Sequence, residues 1–84
     1  MKRFYFHIAS GSRLIKDEDG IELPSKQSAH AQAVRSTREL IADAIKHGID
    51  LNVDAVIVAD EQGKEIARVS TKEVLPKRLL KVDL

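Results

Sequence analysis

The 84-residue chain contains no cysteine and no tryptophan, and it has only four glycines and two prolines. Without cysteine it can form neither a disulfide nor a thiolate zinc site, two devices that often stabilise very small domains. A chain of this length buries roughly 60–65% of the surface that its unfolded form exposes. Stability must therefore come from close packing or from self-association, and we expect a homodimer.

Long apolar runs and a dominant charge are missing as well. No stretch approaches the roughly 18 apolar residues that a bilayer-spanning helix requires. The apolar run near the N-terminus ends at Ala9, which is too short for a signal peptide. Fourteen Lys and Arg oppose thirteen Asp and Glu, whereas dedicated nucleic-acid binders are strongly basic. We expect a soluble cytoplasmic protein for which nucleic acid is not the natural partner.

A helix signal runs without interruption from Ser25 to Gly48. Pro24 disfavours helical angles at Leu23, Ser25 suits the N-cap position, and Gly48 suits the position just past the helix end. Apolar residues between them recur at the spacing of one helix face. We predict a helix over about residues 25–47 whose apolar stripe packs on a sheet. The stripe consists of Val34, Leu40, Ile41 and Ile45.

Short β-type runs lie on both sides of this helix. Residues 3–9 alternate apolar and polar side chains, which predicts a half-buried strand. Residues 14–23 predict a second strand broken by a turn or bulge at Asp17–Gly20. Residues 54–59 and 64–70 predict two more strands joined by a hairpin turn. The order β-β-α-β-β predicts a two-layer α+β fold, an antiparallel four-stranded sheet with the helix across one face.

The last fourteen residues are too apolar for a free terminus. We predict a single domain over residues 1–70 and a basic, apolar tail over residues 71–84. The tail is expected to pack on its own sheet or on a partner subunit, and membrane contact is a third possibility. Together with the first strand it gives a candidate interaction surface. That surface consists of Tyr5, His7, Leu75, Arg78, Leu79 and Leu80.

The ionisable residues do not form a pattern that predicts chemistry. The three histidines are His7, His30 and His47. His47 follows Asp43 by four residues, so the two share a helix face, but a metal site needs further ligands. The acidic run Asp17–Glu22 resembles the start of a calcium loop, but its glycine is misplaced and the final glutamate is missing. We expect no metal, no cofactor and no enzymatic activity.

Four segments carry a family resemblance. They are Arg3-Phe4-Tyr5-Phe6-His7, Asp17-Glu18-Asp19-Gly20-Ile21-Glu22-Leu23-Pro24, Arg35-Ser36-Thr37-Arg38-Glu39-Leu40 and Val58-Ala59-Asp60-Glu61-Gln62-Gly63. Over about residues 3–70 the chain resembles a domain of unknown function found mainly in rhizobia and related alphaproteobacteria. The resemblance implies a one-domain cytoplasmic bacterial protein. It implies no catalytic residue, because that family has no established activity.

Two functional hypotheses follow. The first is a non-enzymatic interaction or regulatory module that acts as a homodimer, with an unidentified protein as a possible further partner. The second is a nucleic-acid-binding or antitoxin-like regulator, because Tyr5 and His7 could stack on bases from an exposed sheet. Asp19-Gly20, Pro24 and the alanine-rich run to Ala33 are similar to HicB-type antitoxins, which implies a small protein partner. The basic residues that motivate the second hypothesis are Arg35, Arg38, Lys77, Arg78 and Lys81.

Overall fold

Five strands and two helices make up the part of the chain that the computed structural model describes, residues 1–50 and 52–75. The α+β class, the antiparallel sheet and the long helix across one of its faces are confirmed. In chain order the elements are β1 (Lys2–Ser10), β2 (Arg13–Ile15), β3 (Ile21–Leu23), α1 (Lys26–His47), β4 (Ala55–Ala59), β5 (Glu65–Ser70) and α2 (Thr71–Val74).

The long strand β1 organises the sheet. Along one edge it pairs with β4, where Tyr5–Ala9 lies antiparallel to Ala55–Ala59, and β5 pairs with the far side of β4. Along its other edge β1 pairs first with β3 and then with β2. The sheet has five strands where four were predicted, because the segment Asp17–Gly20 divides the expected second strand into β2 and β3.

Helix α1 begins and ends where the sequence predicts. The Ser25 hydroxyl accepts the backbone N–H of Ser28 at 3.1 Å, and Gly48 adopts a left-handed conformation with φ of 64°. The predicted stripe is only partly correct, because Ile45 is 67% exposed. Mostly small side chains face the sheet, and Ile45 falls on a flank of the helix. The buried line consists of Ala29, Ala33, Thr37, Ile41 and Ala44.

The hydrophobic core lies between this line and the inner sheet face. Phe4, Val56 and Val58 are almost completely buried there. The register of β5 shifts by one residue after Val58, which inserts one extra residue as a β-bulge. The shift allows consecutive residues, Ile66 and Ala67, both to pack against the core.

The short helix α2 lies within the predicted tail. The Ser70 hydroxyl accepts the N–H of Lys72 at 3.1 Å, and the Glu73 carboxylate accepts the N–H of Ser70 at 3.4 Å. This is a capping box, so the Ser-x-x-Glu pattern could have predicted the helix from the sequence. Thr71 is buried and Val74 packs against the core. The predicted tail residues Arg78, Leu79 and Leu80 lie outside the described residues.

Candidate functional site

Within residues 1–50 and 52–75 no helix covers the sheet face opposite α1, and we call this face the open face. Because directly opposed residues of antiparallel strands share a face, the registers assign its members. His7 lies opposite Ile57, and Ile57 lies opposite Arg68. Other residues are assigned to this face by the same rule, from the strand pairs on either side of His7 and Ile57. They include Tyr5 and Ala9 of β1, Leu14 of β2, and Ala55 and Ala59 of β4.

The floor of the open face is apolar, and it is concave. Ile57 is only 8% exposed although neither described helix covers it, because it lies on the central strand β4 between β1 and β5. Leu14, by contrast, is 48% exposed. The concavity above the floor has a volume of about 680 Å³, and the β1–β2 and β4–β5 turns form part of its lining.

Charges of opposite sign lie at two corners of the open face. The β1–β2 turn follows the end of β1 and the β4–β5 turn follows the end of β4, so the antiparallel pairing places these turns at opposite ends of the sheet. β2 and β5 also lie at opposite edges, which puts the two turns on a diagonal. We call Arg13 the basic corner, and Asp60 and Glu61 the acidic corner; Lys16 lies farther along the same edge, just past the end of β2. All four residues line the concavity.

Tyr5 and His7 lie side by side on the open face. Their ring centroids are 6.5 Å apart and the ring planes are inclined by 18°. The backbone N–H of Asp17 donates to Nδ1 of His7 at 3.0 Å. In the neutral ring the proton is therefore on Nε2. This bond fixes the orientation of the imidazole.

Asp17 supports this arrangement from the sheet edge. Its carboxylate accepts the backbone N–H groups of Phe6, Asp19 and Gly20 at 3.1, 3.2 and 3.2 Å. Partial burial acts to raise the pKa of this carboxyl, but the three hydrogen bonds and the nearby His7 outweigh it, so the pKa is lowered. These contacts are consistent with the turn that the sequence predicts at Asp17–Gly20.

Two charged pairs border the face. The Arg3 guanidinium donates to the carbonyl of Asp19 at 2.7 Å and to the Glu22 carboxylate at 3.2 Å. Arg68 and Glu65 form a second exposed ion pair at 3.2 Å. Exposed pairs of this kind contribute little to stability, so their main effect is to orient the side chains around the open face.

The structure brings together only part of the candidate interaction surface. Tyr5 and His7 are neighbours on the open face, whereas Leu75 caps the end of α2 and is half-buried. Ile57, Arg68 and Leu14 were not predicted as surface members. Their common face depends on the register across three strand pairs, which a single sequence does not reveal.

The remaining histidines, His30 and His47, lie on α1, on the other side of the sheet from the open face. The His47 ring contacts the backbone carbonyl of Asp43 at 2.9 Å. Within residues 1–50 and 52–75, no group of three His, Cys, Asp or Glu side chains could hold a metal ion. Of the helices in that part of the chain, none combines the length and apolarity required to cross a membrane.

Comparison with known proteins gives one match. No match was found among curated proteins, and none among solved structures. The family described as "Domain of unknown function (DUF6894)" matches residues 3–72. That range includes all of β1 except Lys2, all of β2 to β5 and α1, and the start of α2, and it therefore covers the open face. The chain therefore belongs to the DUF6894 family of domains of unknown function.

Proposed function

We propose that the chain is a non-enzymatic interaction module that acts as a homodimer, with two copies packed through their open faces. The charge arrangement supports this proposal most directly. In a two-fold contact the same surface is used by both copies, so it must complement itself. With the axis near Ile57, the basic corner of each copy meets the acidic corner of the other, and the apolar floors meet between them.

The composition of the floor also supports self-association. Tyr5 and Leu14 leave apolar surface accessible on an otherwise small domain, and burying such surface stabilises a contact by roughly 25 cal/mol per Å². Sheets pack face to face at about 10 Å in many folds. The net charge of +1 causes little repulsion between copies.

The absence of enzymatic activity is part of the proposal, and side-chain roles support it. Nδ1 of His7 already accepts the N–H of Asp17, and Arg68 is paired with Glu65. The His7 imidazole and the Arg68 guanidinium are therefore already engaged in contacts within the chain.

We further propose a regulatory role in the bacterial cytoplasm. The resemblance of segments such as Arg3–His7 to an alphaproteobacterial family supports this role.

Light scattering over a range of protein concentrations tests the dimer. The full chain is expected to be dimeric. Leu14→Glu places a carboxylate on the apolar floor and is expected to give monomers, with the fold retained because Leu14 is 48% exposed. Ile49→Glu introduces the same charge at a residue that is 63% exposed just beyond α1, and it should leave the dimer intact. A full chain that stays monomeric at high concentration would refute the proposal.

One observation favours a second candidate, a single-stranded nucleic-acid binder. The near-parallel rings of Tyr5 and His7 lie on an open sheet beside Arg13 and Lys16, and aromatic rings on sheets can stack on bases. The Glu61 carboxylate on the same surface would repel the phosphate groups of a nucleic acid, and this counts against the second candidate. Fluorescence anisotropy with a labelled single-stranded oligonucleotide separates the candidates. Binding that weakens steeply with salt supports the second, and no binding at low salt rejects it.

A further inference from the structure

A second concavity, which we call the side groove, lies between α1 and β1 on the helix side of the sheet. It forms because α1 packs mainly over β4 and β5, so the inner face of β1 is only partly covered. Ile8 is half-buried, and Ile15, directly opposite it on β2, is 50% exposed. The groove is lined by Phe6, Ile8, Val56, Ser36, Leu40, Glu39 and Asp43.

The side groove has an apolar floor and an acidic rim. Phe6, Ile8 and Val56 supply the floor from the sheet. Glu39 and Asp43 supply the rim from successive turns of α1, and both residues are exposed. Neither carboxylate forms an ion pair with any described residue. A fitting occupant therefore combines apolar side chains with positive charge.

We propose that residues 76–84 of the same chain occupy the side groove. This segment has the required composition, with four large apolar residues and three basic residues against a single aspartate. Its leucines and valine match the apolar floor, and its lysines and arginine match the rim formed by Glu39 and Asp43. The apolar residues are Leu79, Leu80, Val82 and Leu84, and the basic ones are Lys77, Arg78 and Lys81.

The end of the described chain is close enough for this occupation. The N–H of Thr71, at the start of α2, donates to the carbonyl of Asp54 at 3.0 Å, and the N–H of Asp54 donates to the carbonyl of Ala9 at 2.8 Å. Ala9 adjoins Ile8, which lines the groove. Neighbouring strands are about 5 Å apart, whereas nine extended residues span up to about 30 Å. The segment can therefore reach the groove within its own subunit.

A spin label tests the proposal on the full chain. Because the chain has no cysteine, Asp83→Cys gives one labelling site and keeps every apolar and basic residue of the segment. With the label oxidised, the NMR signals of Ile8 and Leu40 are expected to lose most of their intensity relative to the reduced sample. Full intensity at both residues would overturn the proposal, and so would a loss confined to Ile45 and Ile49 beside the end of α1.

Two further samples make the test specific. Glu39→Lys together with Asp43→Lys, in the labelled chain, should restore most of the lost intensity because the rim becomes basic. Glu18→Lys together with Asp19→Lys changes the net charge equally away from the groove and should leave the loss in place. Restoration by the control pair alone would overturn the proposal.

A mixed sample distinguishes the subunit's own segment from that of another copy. Labelled chain without ¹⁵N is mixed with ¹⁵N chain that carries no label. The ¹⁵N chain is expected to keep its intensity at Ile8 and Leu40, and loss there would show that the segment crosses between subunits and would overturn the proposal. Because the label acts within one chain, the result does not depend on whether the open faces form a dimer.

Discussion

The backbone N–H of Phe6 donates to the side-chain carboxylate of Asp17 at 3.1 Å. Phe6 lies in the gap on the outer edge of β1, between the part paired with β3 and the part paired with β2. The Asp17 carboxylate thus accepts a backbone N–H that a neighbouring strand would otherwise pair with. The same carboxylate holds the N–H groups of Asp19 and Gly20, so one side chain maintains the break between the two short strands.

Replacing Asp17 should therefore destabilise the sheet edge. Asp17→Ala leaves three backbone N–H groups without their acceptor, and we expect a loss of about 1–3 kcal/mol in the free energy of unfolding. Asp19→Ala is the matched control, because the contacts of Asp19 with Arg3 and Asp17 use its backbone; its loss should stay below about 0.5 kcal/mol. Urea unfolding measures both, and equal losses would contradict this role of Asp17.

The stability contributed by Asp17 should depend on pH. Its pKa is lower in the folded chain than the value of about 4 in the unfolded chain. A group of this kind stabilises the fold above its unfolded-state pKa, and the contribution is lost as the pH falls through the folded-state pKa. The difference in unfolding free energy between the natural chain and Asp17→Asn should be largest above about pH 5 and shrink below about pH 4. A difference that grows in acid would argue against this account.

Gly20 should tolerate no side chain. It has φ of 71°, and an added Cβ would lie 2.9 Å from the Phe4 carbonyl oxygen and 2.9 Å from Cγ of Arg3. Gly20→Ala combines backbone strain with a steric clash, and we expect a loss of about 2–4 kcal/mol in the free energy of unfolding. Gly63→Ala has a similar φ of 82° but open space around the Cβ, so only the strain of about 1 kcal/mol should remain. Thermal unfolding of both variants measures the difference.

The close approach of α1 to the sheet should depend on small side chains. Ala33 is 0% exposed and packs with the core. Ala33→Leu inserts three carbon atoms into this contact and should cost about 1–3 kcal/mol of stability. Ala42 is exposed on the same helix, so Ala42→Leu should change stability by less than about 0.5 kcal/mol. Equal urea midpoints for the two variants would contradict a dependence of the α1–sheet contact on small side chains.

Much of the fold could be predicted because its signals are local. Ser25 and Gly48 mark the ends of α1 through their own backbone requirements, and the alternation in β1 indicates a strand with two unlike faces. The division into β2 and β3 was harder to predict, because it depends on the Asp17 side chain accepting the N–H of Phe6 at the outer edge of β1, eleven residues away in the sequence. The prediction that Ile45 lies on the sheet is wrong, because the buried line of α1 runs through Ile41 and Ala44 and leaves Ile45 67% exposed on a flank.

The open face could be predicted only in part. Tyr5 and His7 alternate with apolar residues in one strand, so their common face follows from the sequence. Arg68 joins them through the pairings of β1 with β4 and of β4 with β5. The diagonal between the basic and acidic corners also requires the strand order. Such relationships arise from long-range pairing, and no local pattern carries them.

Charge reversal across the proposed two-fold contact is the sharpest test of dimerisation through the open faces. Arg13→Glu and Glu61→Arg each place like charges together at two symmetric points, and each should raise the dissociation constant of the dimer about tenfold. The double variant restores opposite charges and should dimerise within about twofold of the natural chain. Arg35→Glu, on the exposed side of α1, should have no effect. Sedimentation equilibrium gives the dissociation constants of the natural chain and of the four variants. A double variant weaker than either single variant would contradict dimerisation through the open faces.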